Sequence, residues 1–142
     1  MIVRRLVTAL SLLACAGCAK SPGIYPVAGS VTYKGQPAEG AFVVFQRQGA
    51  DPATEQTIMG VVQPNGTFTL DYGSLGKGAP PGEYIVLVRW KYDSSLPSAR
   101  SVREVAARPD RLKGRYDDSK HPLLHAVVRA ETNVLPMFEL ED

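Results

Sequence analysis

From Val27 onward, apolar and polar positions alternate with a period of two, and Gly, Pro and Asn recur between the alternating stretches. A period of two puts successive side chains on opposite faces of an extended chain, so the pattern predicts β-strands. Their lengths and the turn residues between them are typical of short antiparallel strands. Seven strands are predicted, at residues 27–33, 41–45, 57–62, 67–72, 83–90, 125–130 and 134–140.

The predicted strands differ in how they should face the core. Residues 41–45 are apolar on both faces, which is typical of a central strand. The last two strands are expected to form a closing hairpin around residues 131–133. Pro136 has no N–H for a strand ladder, so the last strand should lie at a sheet edge or begin after it. The strand at 83–90 should point one set of alternate side chains into the core: Tyr84, Val86, Val88 and Trp90.

These elements predict one fold class. No helix of ordinary length separates the strands, which excludes a parallel sheet built from βαβ units. We expect an all-β, seven-strand antiparallel β-sandwich of prealbumin-like or immunoglobulin-like type. The 142 residues suffice for one compact domain. A net charge of +2 argues against a nucleic-acid binder that relies on a strong positive field.

The first 17 residues have the features of a lipoprotein signal peptide. Arg4 and Arg5 precede a short apolar run that is about half of the ~20 residues a membrane-spanning helix needs. The segment 13–18, Leu-Ala-Cys-Ala-Gly-Cys, resembles a bacterial lipobox, which marks Cys18 for acylation. Cys15 is the alternative modified residue, and an ordinary signal peptide with two incidental cysteines is the other interpretation.

Acylation of Cys18 would determine the remaining domain plan. Cleavage before Cys18 removes Cys15, so no free thiol remains, and the mature chain has 14 basic and 14 acidic residues. Residues 18–25 would be a lipidated tether and 26–142 the folded domain. The expected location is the cell envelope, bound to a membrane by its lipid. Ala19 in place of Asp favours the outer membrane by resemblance to known lipoprotein sorting.

Three turn-and-strand motifs resemble those of carboxypeptidase-regulatory-like, or transthyretin-like, domains. They are Gly-Ser-Val-Thr-Tyr-Lys-Gly-Gln-Pro-Ala-Glu-Gly-Ala at 29–41, Pro-Asn-Gly-Thr-Phe-Thr-Leu at 64–70 and Pro-Gly-Glu-Tyr-Ile-Val-Leu-Val at 81–88. The match covers residues 25–90, and 91–142 resembles a subset of short bacterial surface lipoproteins with this domain. The resemblance implies a prealbumin-like sandwich with a binding or structural role and no enzymatic activity.

Residues 91–122 form an insert that is too long for a hairpin connection. Ser101 and Glu104 have capping-box spacing and predict a helix of about two turns that ends before Pro109. The insert has eight basic and five acidic residues, so its net charge is +3. It is either a solvated loop paired with its own domain or a site for an anionic polymer, a glycan or an envelope protein. The candidate ligand-binding residues are Trp90, Tyr92, Arg103, Arg108 and Arg111.

Catalytic and metal-binding motifs are sparse. We expect no catalytic residue, no cofactor and no metal. The enzyme alternative is a metal site formed by a cluster in the second half of the chain: Tyr116, Asp117, Asp118, His121 and His125. Two histidines alone do not complete a zinc site. A further alternative is an assembly subunit that offers its edge strands to neighbouring proteins.

Overall fold

The computed structural model describes residues 23–51, 53–93, 96–98 and 100–142. Two β-sheets face each other across one apolar core, which confirms the all-β sandwich expected from the sequence. One short helix, α1 (Val102–Ala107), lies between the sixth and seventh strands. The strands are β1 (Val27–Tyr33), β2 (Gln36–Pro37), β3 (Phe42–Arg47), β4 (Ile58–Val61), β5 (Thr67–Thr69), β6 (Gly82–Arg89), β7 (Leu124–Val128), β8 (Asn133–Val134) and β9 (Phe138–Leu140).

The described residues form nine strands where seven were expected. The additional β2 is a two-residue strand that pairs with the end of β1. The expected strand at 134–140 is divided into β8 and β9, and Pro136 lies in the break between them. The proline therefore interrupts the ladder as its missing N–H requires, and the last strand begins after it.

The two sheets differ in strand direction. In the first sheet, β1 pairs antiparallel with β2 and β5 but parallel with β8 and β9. The second sheet is antiparallel throughout and has the order β4–β3–β6–β7. The sandwich is thus mixed, because one of its sheets contains parallel pairs that the sequence did not predict.

The expected closing hairpin is wrong, because its two strands belong to different sheets. β7 pairs with β6, whereas β8 and β9 pair with β1. Asn133 accounts for the corner: its side-chain Oδ1 accepts from Arg129 N at 2.9 Å, and its Nδ2 donates to Arg129 O at 3.1 Å and Glu131 O at 2.7 Å. These bonds use backbone groups that a hairpin ladder would need.

The core contains the strand faces that the alternation predicted. Tyr84, Val86, Val88 and Trp90 are all buried in it. The ring of Phe45, on β3, lies 5.7 Å from the ring of Tyr84 and 6.4 Å from that of Phe68, on β5. Aromatic contacts therefore connect the two sheets.

The insert has an ordered second half. Its helix α1 begins as the capping box predicted, because Glu104 N donates to Ser101 Oγ at 3.2 Å. Beyond the helix, Leu112 and Tyr116 are buried in the core. Val88 N donates to Tyr116 O at 2.9 Å. Residues 110–116 thus lie along the end of β6, beyond Val86, where β7 begins to pair with it, and they form part of the domain instead of a solvated loop.

The described chain joins the sandwich at Tyr25. Tyr25 and Ala79 exchange two backbone hydrogen bonds of 3.0 Å. The adjacent Gly78 has φ +121°, and a Cβ there would lie 1.9 Å from Tyr25 O, so this junction requires glycine. The expected signal peptide at 1–17 and the lipidated Cys18 lie outside the described residues. Among the residues described, no helix has the length and apolar character needed to cross a membrane.

Candidate functional site

A cleft of about 350 Å³ lies where β1 and β6 end, and we call it the distal cleft. One wall is the turn between β1 and β2, continued by Glu39. The other wall is formed by Tyr92 and Arg111, and Trp90 lies at the base. Three of the five residues predicted as ligand-binding therefore meet in one cleft: Trp90, Tyr92 and Arg111.

Trp90 forms the floor of the distal cleft and is only 4% exposed. Its indole Nε1 donates to Glu39 O at 2.8 Å. The edge of the Tyr33 ring meets it at a centroid distance of 5.5 Å and an interplanar angle of 73°. The indole is consequently a structural support and offers little surface on which a ligand ring could stack.

Arg111 covers the indole of Trp90. Its guanidinium carbon lies 3.7 Å from the ring centroid, which is a close cation–π contact. The Arg111 Nη1 also donates to Tyr92 O at 3.3 Å. The guanidinium is thus held in a fixed plane at the cleft while the residue as a whole stays exposed.

Asp110 determines where Arg111 lies. Its Oδ1 accepts from Trp90 N at 2.9 Å and from Leu112 N at 3.1 Å, and its Oδ2 accepts from Gly114 N at 3.0 Å. Arg111 N completes the junction by donating to Trp90 O at 2.8 Å. One carboxylate therefore joins the end of β6 to the insert, because short aspartate side chains readily cap nearby backbone N–H groups.

Tyr92 is the exposed aromatic residue of the cleft, with 38% of its surface accessible. Its ring packs against Gly40, which has φ +77°; a Cβ on Gly40 would lie 2.4 Å from the Tyr92 ring. The glycine is needed both for the backbone conformation and for the space that the ring occupies. Tyr92, unlike Trp90, has surface available for a ligand.

A basic cluster borders the cleft beside Lys34. Lys34 Nζ and Tyr33 OH both donate to the carboxylate of Asp142, and Arg115 donates to its backbone carbonyl. The bond to Asp142 raises the pKa of Lys34. The bonds from Lys34 and Tyr33 lower the pKa of Asp142. Both groups are therefore charged at neutral pH and form an ion pair at the border of the cleft, and Arg115 adds one further positive charge to the cluster.

The other two predicted arginines lie elsewhere. Arg108 follows α1, and its Nη2 donates to Pro97 O at 2.6 Å. It lines a separate pocket of about 280 Å³ that shares only Tyr92 with the distal cleft. Arg103 is exposed on α1 and does not line the distal cleft. The insert's arginines therefore do not converge on a single anion site.

The residues of the alternative metal site are dispersed among different contacts. Tyr116 OH accepts from Glu141 N at 2.9 Å, and Asp117 pairs with Arg89 at 2.7 Å. His121 Nδ1 lies 2.9 Å from Asp118 Oδ2, a bond that lowers the pKa of Asp118. The described residues contain no group of three or more His, Cys, Asp or Glu side chains placed to hold a metal ion.

A second, larger cavity of about 620 Å³ runs between β7 and the β8–β9 segment. Its walls include Val127, Leu135 and Phe138. β7 is the last strand of its sheet in the described chain, so the groove lies between the edges of the two sheets. Val127 and Val134 are 51% and 82% exposed there. If the protein is an assembly subunit that offers its edge strands to neighbouring proteins, this groove is where such a neighbour would bind.

The sequence did not reveal the wall of the distal cleft formed by Tyr33, Lys34, Gln36 and Glu39. All of these residues lie more than 50 positions before Trp90, and Glu39, whose backbone O accepts from the indole, lies 51 positions before it. The motif at 29–41 predicts a turn, but no local pattern connects that turn with a tryptophan in a later strand. Only the pairing of sheets brings them together.

Comparisons with known proteins give one structural likeness. No protein-family model matches the chain, and no curated protein matches it either. A crystal structure at 1.80 Å resolution of a DUF3823 family protein from Parabacteroides merdae ATCC 43184 is similar, with 16% sequence identity and a TM-score of 0.41. The likeness covers 85% of this chain and 46% of that chain, so this chain spans less than half the length of that protein.

Proposed function

We propose that this protein is a non-catalytic lipoprotein of the cell envelope, whose carboxypeptidase-regulatory-like sandwich is a binding module. The sandwich is held to a membrane by acyl chains on Cys18. The distal cleft is its binding surface.

The observation that carries this proposal is the position of the cleft relative to the point where the chain joins the sandwich. Tyr25 is bonded to Ala79 immediately before β1 begins. Tyr33 and Lys34, at the other end of β1, form part of the cleft. Seven residues of strand separate these ends by about 20 Å. A chain tethered at its first end therefore presents the cleft away from the membrane.

The tether is short enough to keep the sandwich close to the membrane. Cys18 and Tyr25 are seven residues apart in sequence. Fully extended, seven residues span at most about 25 Å. The sandwich would thus stay within one domain diameter of the bilayer. Each buried methylene of the lipid contributes ~0.8 kcal/mol, so several acyl chains make the attachment effectively permanent.

The assignment to carboxypeptidase-regulatory-like domains is supported by the places where its three motifs fall. The segment 29–41 spans most of β1 and the whole of β2. The segment 64–70 contains β5, and 81–88 contains the first seven residues of β6. The turns that suggested the resemblance therefore lie between strands of a two-sheet sandwich.

An assembly role is a second candidate function, and the groove between β7 and β8–β9 favours it. Free strand edges beside an apolar groove are suited to an added strand. Size-exclusion chromatography with light scattering separates the two functions: a binding module stays monomeric over a wide concentration range, whereas an assembly subunit forms oligomers.

The lipoprotein proposal is tested by expressing the full chain in a bacterium that processes lipoproteins. The variants are Cys18→Ser and the matched control Cys15→Ser. We expect mass spectrometry to find acyl chains on Cys18 of the wild type and of the control, with both proteins in the membrane fraction. Cys18→Ser should be unacylated and leave that fraction. An unacylated wild-type Cys18, or acylation at Cys15, would overturn the proposal.

A further inference from the structure

We infer that the distal cleft binds an acidic saccharide, and that the unit it recognises is a uronic acid whose carboxylate pairs with Arg111 and whose ring lies against Tyr92. The inference rests on the proposed function of the sandwich as a binding module and names its ligand class.

Arg111 supplies the carboxylate contact. Its guanidinium is fixed over Trp90 at 3.7 Å, and one of its nitrogens is bonded to Tyr92 O. Within the part of the chain that the structure describes, the other guanidinium nitrogen, Nη2, and the Nε donate to no protein acceptor, so both can donate to a ligand. A planar guanidinium matches the two oxygens of a carboxylate, and because stacking has already fixed its plane, less entropy is lost on binding.

Tyr92 supplies the surface for the sugar ring. A pyranose has apolar C–H groups on its faces and hydroxyl groups around its edge, so it suits an aromatic ring beside polar side chains. The Tyr92 ring is held against Gly40 yet remains 38% exposed. It is therefore rigid before the ligand arrives, which favours affinity.

The opposite wall supplies hydrogen-bond partners for hydroxyl groups. Gln36 has both a donor and an acceptor, and the ionised Glu39 has only acceptors. A pyranose has several hydroxyl groups that can donate to Glu39, whereas the hydrogen phosphate dianion has a single P–OH. A sugar therefore satisfies this wall better than an inorganic anion does.

The charge of the cleft matches a single carboxylate. Among the residues that line it, Lys34 and Arg111 are positive and Glu39 is negative. At its border the Asp142 carboxylate pairs with Lys34 and Arg115 adds one positive charge, so the cleft with its border has a net charge of +1. A dianionic phosphate would exceed that charge and meet Glu39 at close range. The volume of about 350 Å³ lies at the small end of ligand pockets, which fits one or two sugar units of a longer chain.

The test is isothermal titration of the full chain, purified in detergent, with oligosaccharides of galacturonic, glucuronic and mannuronic acid. The fully methyl-esterified form of each oligouronate is its matched uncharged probe, and inorganic phosphate is a second comparison. We expect at least one oligouronate to bind. The corresponding ester should bind about tenfold or more weakly, because it lacks the charged hydrogen bonds to Arg111.

Four variants assign the contacts. Arg111→Gln should weaken binding by about tenfold or more, whereas Lys113→Gln, which removes one exposed positive charge from the same turn, should change it less than about twofold. Tyr92→Ala should weaken binding and Tyr92→Phe should retain it. Circular dichroism of each variant shows whether the sandwich is intact.

Three results would overturn the inference. The first is no binding of any oligouronate at millimolar concentration, and the second is equal losses for Arg111→Gln and Lys113→Gln, which would indicate general electrostatic attraction. Phosphate binding as tight as the best oligouronate would also refute it. Acylation of Cys18 is measured separately, so a chain that is acylated but binds no uronate loses only this inference.

Discussion

Replacing Tyr84 tests the arrangement of the two sheets most directly. The side chain is 1% exposed, lies on β6, and contacts Phe45 across a centroid distance of 5.7 Å. Its hydroxyl donates to Pro80 O at 2.7 Å in a buried bond. Burial raises the pKa of this hydroxyl, so it remains a donor at neutral pH.

Two substitutions separate the ring from the hydroxyl. Tyr84→Ala removes the ring and leaves a cavity between the sheets, which should lower the free energy of unfolding by about 3–5 kcal/mol. Tyr84→Phe keeps the ring and leaves Pro80 O without its donor, which should cost about 1–3 kcal/mol. The difference between the variants isolates the contribution of the ring.

The assay is equilibrium urea unfolding followed by circular dichroism, with the midpoint and slope fitted for each variant. Val134→Ala is the control, because Val134 is 82% exposed, and it should change stability by no more than about 0.5 kcal/mol. If Tyr84→Ala costs less than about 1 kcal/mol, then Tyr84 does not fill the space between the sheets and the facing of β6 is wrong.

Three further predictions concern polar groups. Asn133→Ala should lower the free energy of unfolding by about 2–3 kcal/mol, because it leaves partly buried backbone groups at the bend between β7 and β8 unpaired. Urea unfolding measures this change, and an unchanged stability would show that Asn133 does not hold the bend. Asp110→Ala should lower the free energy of unfolding by about 1–2 kcal/mol, and it should weaken oligouronate binding because Arg111 is displaced. Asp118→Ala should do neither. Urea unfolding compares the stabilities of the two variants, and titration calorimetry compares their binding. The bond between Lys34 and Asp142 should stabilise the fold fully above the ordinary carboxyl pKa of 3.8 and lose its effect as the pH falls through the lowered pKa of Asp142. Thermal melts of wild type and Asp142→Asn should therefore converge in acid, and a constant difference down to pH 2 would refute the coupling.

The sequence predicted part of the candidate site. Trp90 and Tyr92 lie at and just beyond the end of a predicted strand with a clear apolar run at 84–88, and Arg111 belongs to a basic insert, so each was recognisable by itself. The roles of these three residues in the cleft could not be recognised from the sequence. Trp90 was a candidate ligand-binding residue, yet the structure buries it beneath Arg111, and Tyr92 is the exposed ring.

The sequence by itself determined the elements whose signals are local. The alternation along β1, the apolar run of β6, the break at Pro136 and the cap of α1 each depend on residues within about four positions of each other, so a single strand or turn of helix is enough to encode them.

Only the tertiary structure decided which strands pair and what lines the cleft. The Asn133 side chain meets Pro26 across 107 positions, and the Trp90 indole meets Glu39 across 51. Strand edges offer the same backbone N–H and C=O groups at every position, so an alternating pattern does not specify its partner. The partner is chosen by how the buried faces and corners of the whole chain fit together, and this choice places β8 and β9 beside β1 and brings Arg111 to the turn after it.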